Sequence, residues 1–109
     1  MSIRAFILNP IDEIEKSFAI AVATEEFFSR VWDKGCQELD LKWIPIFSTG
    51  IDITIEDLTS IQFELKKLKK WSEDNLSQKD MEKISNRIYY LETELPRMFK
   101  RKDAIIFIG

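Results

Sequence analysis

The sequence predicts an α+β fold: a mostly antiparallel sheet of four to five strands packed against three helices, two of which form an antiparallel helix hairpin. Three observations predict it. Short apolar runs that read as strands interleave with helical stretches without a regular βαβ repeat. Residues 77–98 carry apolar side chains at spacings of three and four, the period of a helix with one buried face. The chain has 109 residues, 45% of them hydrophobic, with three Gly and three Pro, which suits one packed core and excludes collagen-like, linker-like and disordered chains. A single domain over residues 1–109 is expected.

Residues 3–8 (IRAFIL) form a short apolar run stopped by Asn9-Pro10, which predicts a buried strand. Residues 12–16 are polar and predict a loop or a helical turn. Phe18, Ile20 and Val22 alternate with Ala19 and Ala21, the pattern of a second strand. Thr24-Glu25-Glu26 predicts a helix start, with Thr24 as cap and two carboxylates in the first turn, where the helix dipole favours them. Phe27, Phe28, Val31, Trp32, Cys36 and Leu39 follow on one face. Cys36 lies on that stripe and reads as a small buried hydrophobe, not a nucleophile.

Residues 41–47 (LKWIPIF) predict a strand at an edge or a bulge, because Pro45 lacks a ladder donor. Ser48-Thr49-Gly50 has the form of a bulged hairpin turn. Ile51, Ile53 and Ile55 alternate with Asp52, Thr54 and Glu56, a strand with one wet face. From about Glu56 a second helix is predicted, with Leu58, Ile61, Leu65, Leu68 and Trp71 inward. Ser77 starts a third, with Asp80 as a capping-box acid and Met81, Ile84, Ile88, Leu91, Leu95 and Met98 inward. Their short link predicts an antiparallel pair, and Pro96 should bend or end the third helix. Residues 103–108 (DAIIFI) predict a final strand, central and buried on both faces.

The chain carries 16 Lys and Arg against 19 Asp and Glu, and no His. Up to Gln62 there are eleven acids and five bases, net −6; after it, eight acids and eleven bases, net +3. Without histidine a Ser-His-Asp or Cys-His arrangement cannot be built. The three glycines, Gly35, Gly50 and Gly109, belong to no phosphate-binding loop. One sulfur and no imidazole leave no zinc site. The acid pairs Glu25-Glu26, Glu56-Asp57 and Glu73-Asp74 sit at helix ends, where capping explains them. These absences predict a non-enzyme with no metal and no cofactor. The basic run 66–70 (KKLKK) reads as a solvated helix face, and a pI near 5.0 argues against a nucleic-acid partner. No apolar run approaches the roughly 20 residues a membrane helix needs. No basic-then-apolar N-terminal leader is visible either, so a cytoplasmic protein without a membrane partner is expected.

Protein binding is the class that remains. Phe63 and Tyr90 lie off the apolar stripes of their helices, so each must pack on a neighbouring segment or meet a partner.

Several stretches are similar to small bacterial immunity proteins encoded beside contact-dependent growth inhibition and other polymorphic toxins. They are ATEEFF (residues 23–28), Trp32, LKWIP (residues 41–45) and the spacing of Glu64, Leu65, Leu68 and Trp71. Together they span about half of the chain and are fold markers, not catalytic motifs. The resemblance implies a cytosolic antitoxin that binds its cognate protein toxin and blocks or distorts the active site. The acidic first half adds an electrostatic inference: a basic nuclease domain as the toxin. The contact acids expected on this reading are Asp12, Glu13 and Glu15, after the first strand, and Asp52, on the wet face of its strand; Tyr90 is the aromatic contact. Two other readings stay open: an adaptor or subunit of another complex, and a small nucleic-acid-associated regulator using residues 66–70 and the basic C-terminal region.

Overall fold

Strand parity builds the first hairpin of this computed structural model, which describes residues 2–109. In β1 (Ser2–Ile7) the odd residues Ile3, Ala5 and Ile7 are buried, and Ser2 and Arg4 are exposed. Asp12 caps a short helix, α1 (Glu13–Ser17), its carboxylate accepting the Glu15 N–H at 2.8 Å. The chain returns as β2 (Ala19–Thr24), antiparallel to β1, with Ile20 opposite Ala5. Arg4 pairs with Ala21 but Ile3 pairs with Ala23, so Val22 is the extra residue of a bulge.

The Thr24 hydroxyl accepts the Phe27 N–H at 3.1 Å and starts the next helical run, as its sequence predicts. That run comprises α2 (Glu25–Phe27), a π-helical turn (Phe28–Trp32) and α3 (Asp33–Leu39). The Phe28 and Trp32 rings stack across the π turn, centroids 5.5 Å apart. Asp40, with a left-handed φ of 55°, ends α3. The expected stripe from Phe27 to Cys36 is buried, and burial pushes the Cys36 thiol up to about 12, with the charges of Asp33 and Glu64 adding to it.

Residues 41–47 are not a strand. They lead into a 3-10 helix, Ile44–Ser48. Leu41, Ile44 and Phe47, three residues apart, are the buried ones, which is a helical period and not a strand period. Pro45 sits near the helix N-terminus, where its missing N–H costs nothing. The expected bulged hairpin is therefore absent as well; Gly50, at φ 103°, instead leads out of the 3-10 turn into β3 (Ile51–Ile53). This strand is shorter than its alternation predicts, because Asp57 accepts the Thr54 N–H at 2.9 Å in a capping box and turns Ile55–Asp57 into 3-10 helix.

The hairpin of α4 (Leu58–Asn75) and α5 (Gln78–Met98) follows its prediction, with Ile61, Leu65, Leu68, Ile84, Ile88, Leu91 and Leu95 fully buried. Pro96 lies in the last turn of α5, two residues before its end. β4 (Ile106–Ile108) pairs antiparallel with both β1 and β3, and among the described residues the sheet has four strands in the order β2-β1-β4-β3. The position of β4 is central, as expected, but it is not buried on both faces. The helices cover one face only, so Phe107 stays half-exposed and rests against Phe6 on the other, centroids 5.5 Å apart.

A close helix contact falls at Gly35, where α3 crosses α4. A Cβ there would stand 2.5 Å from Leu68 Cδ1 and 2.7 Å from the Trp71 ring. Gly35→Ala gains about 1 kcal/mol of helix propensity, but forcing a methyl into this contact costs about 1–3 kcal/mol. The net expectation is a lower Tm, and denaturant unfolding of the variant measures it.

Candidate functional site

The expected contact residues do not all end up alike. Asp12 and Glu13 are exposed on α1: Asp12 serves as the cap, and Glu13 pairs with Lys16 at 3.2 Å. Glu15 is taken. The Arg101 guanidinium grips it in a fork, Nη2 to Oε1 at 2.8 Å and Nε to Oε2 at 3.2 Å, and the Glu15 side chain is only 13% exposed. A carboxylate paired this way is not free for a partner, so Glu15 leaves the contact set. Asp52 is exposed in β3, one edge of the sheet, whereas α1 leads into β2, the opposite edge. The structure therefore does not bring Asp52 to the α1 acids. Tyr90 is exposed on α5, edge-on to Tyr89. It borders a depression with Phe18 and Glu94, and Phe18 also borders the depression beside Asp12 and Ile14. Tyr90 thus lies on the α1 side of the molecule.

The segment that carries Asp12 and Glu13 is held by a knot of polar contacts. Arg101 Nη2 donates to the Asn9 carbonyl at 2.6 Å and Nη1 to Asp103 at 2.8 Å. Asn9 in turn accepts the Ile105 N–H at 2.9 Å and donates to the Asp103 carbonyl at 3.0 Å. On this pinned segment Ile11 and Ile14 point into water, 67% and 69% exposed. Both stand out in the sequence as aliphatic residues within a polar stretch, the one local signal that marks them.

Comparison of the chain with protein families, with curated proteins and with solved structures returns no match. Two of the stretches singled out in the sequence, residues 41–45 and the α4 stripe around Glu64, meet in the structure. Glu64 of α4 is 8% exposed, and its carboxylate accepts the backbone N–H groups of Lys42, Trp43 and Ile44 at 2.9–3.1 Å. Trp71, two turns further along α4, donates its Nε1–H to Glu38 at 3.0 Å. These residues act as fold determinants, with their polar atoms consumed internally.

On α4 itself Leu68 is buried and Lys66, Lys67 and Lys70 are exposed, as the KKLKK pattern predicts. Phe63 is 60% exposed, with the Lys67 ammonium, one turn along its own helix, 4.7 Å from its ring centroid. Among the described residues no group of three or more His, Cys, Asp or Glu could hold a metal ion. No helix is long and apolar enough to cross a membrane.

Two expectations follow. Glu64→Ala strands three N–H donors, that of Ile44 buried and those of Lys42 and Trp43 part-buried, and should cost about 3 kcal/mol in denaturant unfolding, whereas Glu64→Gln keeps one acceptor oxygen and should cost less. The second concerns acid. The hydrogen bond from Arg101 holds the Glu15 carboxyl below its ordinary 4.5. Asp80 is likewise held down, by the hydrogen bond from Arg30. A carboxyl lowered on folding lends stability that is complete above its unfolded pKa and is lost as pH falls through the folded one. Asp33 acts in the opposite sense, since burial pushes its carboxyl up. Thermal melts should therefore fall as pH drops below about 4.5, and Arg101→Gln should flatten that decline while lowering Tm at neutral pH.

Proposed function

We propose that the chain is a cytoplasmic, non-enzymatic immunity-type protein that binds a cognate toxin, a basic nuclease domain, and blocks its active site. The observation that carries this reading is the exposed pair Ile11 and Ile14, set among Asp12 and Glu13 on a segment that Arg101 pins to the body of the protein. Contiguous apolar surface left in water marks interaction sites, and Ile11 and Ile14 lie three residues apart at the start of α1. Pinning lowers the ordering entropy that association must overcome. The acids steer a basic partner and speed its encounter, and the isoleucines, once desolvated, slow its release. The toxin assignment itself rests on the resemblance of the stretches around Trp32, residues 41–45 and Glu64.

Co-purification from the native host names the partner, and stopped-flow mixing then tests the mechanism. The double variant Asp12→Lys, Glu13→Lys should lower the association rate roughly tenfold at low salt and much less at high salt. Ile14→Ala should leave association unchanged and raise the dissociation rate roughly tenfold. Binding that ignores both changes removes this surface from the mechanism.

A second reading, a nucleic-acid-associated regulator, draws on Phe63 among Lys66, Lys67 and Lys70, an aromatic face with a basic surround. Anisotropy with a labelled single strand decides it: salt-sensitive binding lost in Phe63→Ala supports it, and no binding at low salt removes it.

A further inference from the structure

The two edges of the sheet are built differently. β3 has three residues and a carboxylate, Asp52, in the middle, a short charged edge of the kind that resists pairing. β2 has six residues, AIAVAT, with no charge and no proline. Its free backbone groups can be assigned from the ladder. Arg4 exchanges both its bonds with Gly109, at 3.2 and 3.0 Å, and the Leu8 N–H donates to Ile105 at 2.8 Å. Alternate residues of a central antiparallel strand serve opposite neighbours, so Ile3, Ala5 and Ile7 serve β2. Ile20, opposite Ala5, turns its N–H and C=O inward. Ala19 and Ala21 therefore turn theirs to the open edge. Their methyl side chains leave that edge unobstructed, and the bulge at Val22 ends the regular segment just beyond it.

A groove runs along this edge, with α5 as its wall. Lys83, Arg87, Tyr90 and Glu94 line it, at spacings of four, three and four, one continuous helical stripe. Glu94 and Tyr90 stand at the Phe18–Ala19 end, Lys83 at the Thr24 end, and Arg87 lies beside Ala21. The stripe is thus acidic at one end and basic at the other, and α5 runs antiparallel to β2.

We propose that the β2 edge pairs with the β2 edge of a second copy of this chain, forming a two-fold dimer with a continuous eight-stranded sheet. The polarity of the stripe selects this occupant. A two-fold axis near Ile20 sets Ala19 opposite Ala21 of the other copy, so the outward N–H and C=O groups meet. The same axis passes midway between Arg87 and Tyr90 on the helix. It places Glu94 opposite Lys83 and Arg87 opposite Tyr90, each pair made twice because the contact is isologous. Arg87 has no carboxylate partner among the described residues, and the Tyr90 ring across the axis offers its guanidinium a cation–π contact instead. Glu94 has only Arg97, three residues along its own helix, at 3.4 Å.

Sedimentation equilibrium tests the proposal by charge exchange. The native chain should be a dimer at ~100 μM. Lys83→Glu and Glu94→Lys, each made separately, put like charges together twice, and each should raise the dimer dissociation constant about tenfold or more. An equimolar mixture of the two variants restores both pairs between unlike chains, so it should form a heterodimer although each variant alone does not. That recovery also shows that the variants are folded. A native chain still monomeric at ~500 μM overturns the proposal. So does a dimer indifferent to both substitutions, or a mixture that fails to recover.

Discussion

A single carboxylate decides how the middle of the chain is shaped. Glu64 projects from α4 into a place with almost no water and gathers three consecutive backbone N–H groups, those of Lys42, Trp43 and Ile44. Three successive donors can converge on one acceptor only if the backbone curls, so the segment after α3 is a turn of 3-10 helix and not an extended strand. The curl drops Ile44 and Phe47 into the core and delivers the chain to Gly50, from which β3 departs. The same α4 face carries Leu68 and Trp71, against which Gly35 lets α3 close. The placements of α3, the 3-10 turn and β3 all refer back to this helix, and the carboxylate is what fastens the middle of the chain to it.

The sheet is organised around a different polar knot. Arg101 and Asn9 join the end of β1 to the approach to β4, through Glu15, Asp103 and the Ile105 N–H. The knot aligns the two central strands and at the same time stiffens the outward α1 segment. One set of contacts thus serves packing and presentation together. The cost is that Glu15 and Arg101 neutralise each other, so the exposed charge of that end is smaller than a count of its acids suggests.

The parts of the fold legible in the sequence are those decided by neighbours. A short apolar run stopped by Asn9-Pro10 marks β1, alternation marks β2, Thr24 and Ser77 cap the residues that follow them, and the stripe from Ile84 to Met98 needs only its own period. Residues 41–47 were not legible, because what bends them sits about twenty residues away, with Lys42 and Glu64 separated by 22 positions. LKWIPIF has apolar residues on both parities and satisfies a strand or a helical turn until that carboxylate is placed. The surface behaves in the same way. Asp12 and Glu13 are exposed, as local polarity implies, but Glu15 is cancelled by a guanidinium 86 residues further on. Ile11 and Ile14 lie in and beside a stretch read only as polar, and it is the pinned geometry that gives them meaning. Phe63 departs from its stripe and does remain in water.

The order of strands in the sheet bears on how the protein is made. Among the described residues β4 follows the other strands in the sequence, yet it lies between β1 and β3 and is the only strand β3 touches. While the chain emerges from a ribosome, β1 and β2 can meet early, as can α4 and α5. β3 must wait, because its hydrogen-bonding partner is translated more than fifty residues after it. Until then the β4 side of β1 stands open, with the backbone groups of Arg4 and Leu8 unpaired and Ile51 and Ile53 without their neighbours. Such a nascent chain exposes an adhesive margin for the whole of that interval. The native sheet is completed only after β4 has been translated, and the rate of that long-range closure sets how long a newly made molecule needs shelter.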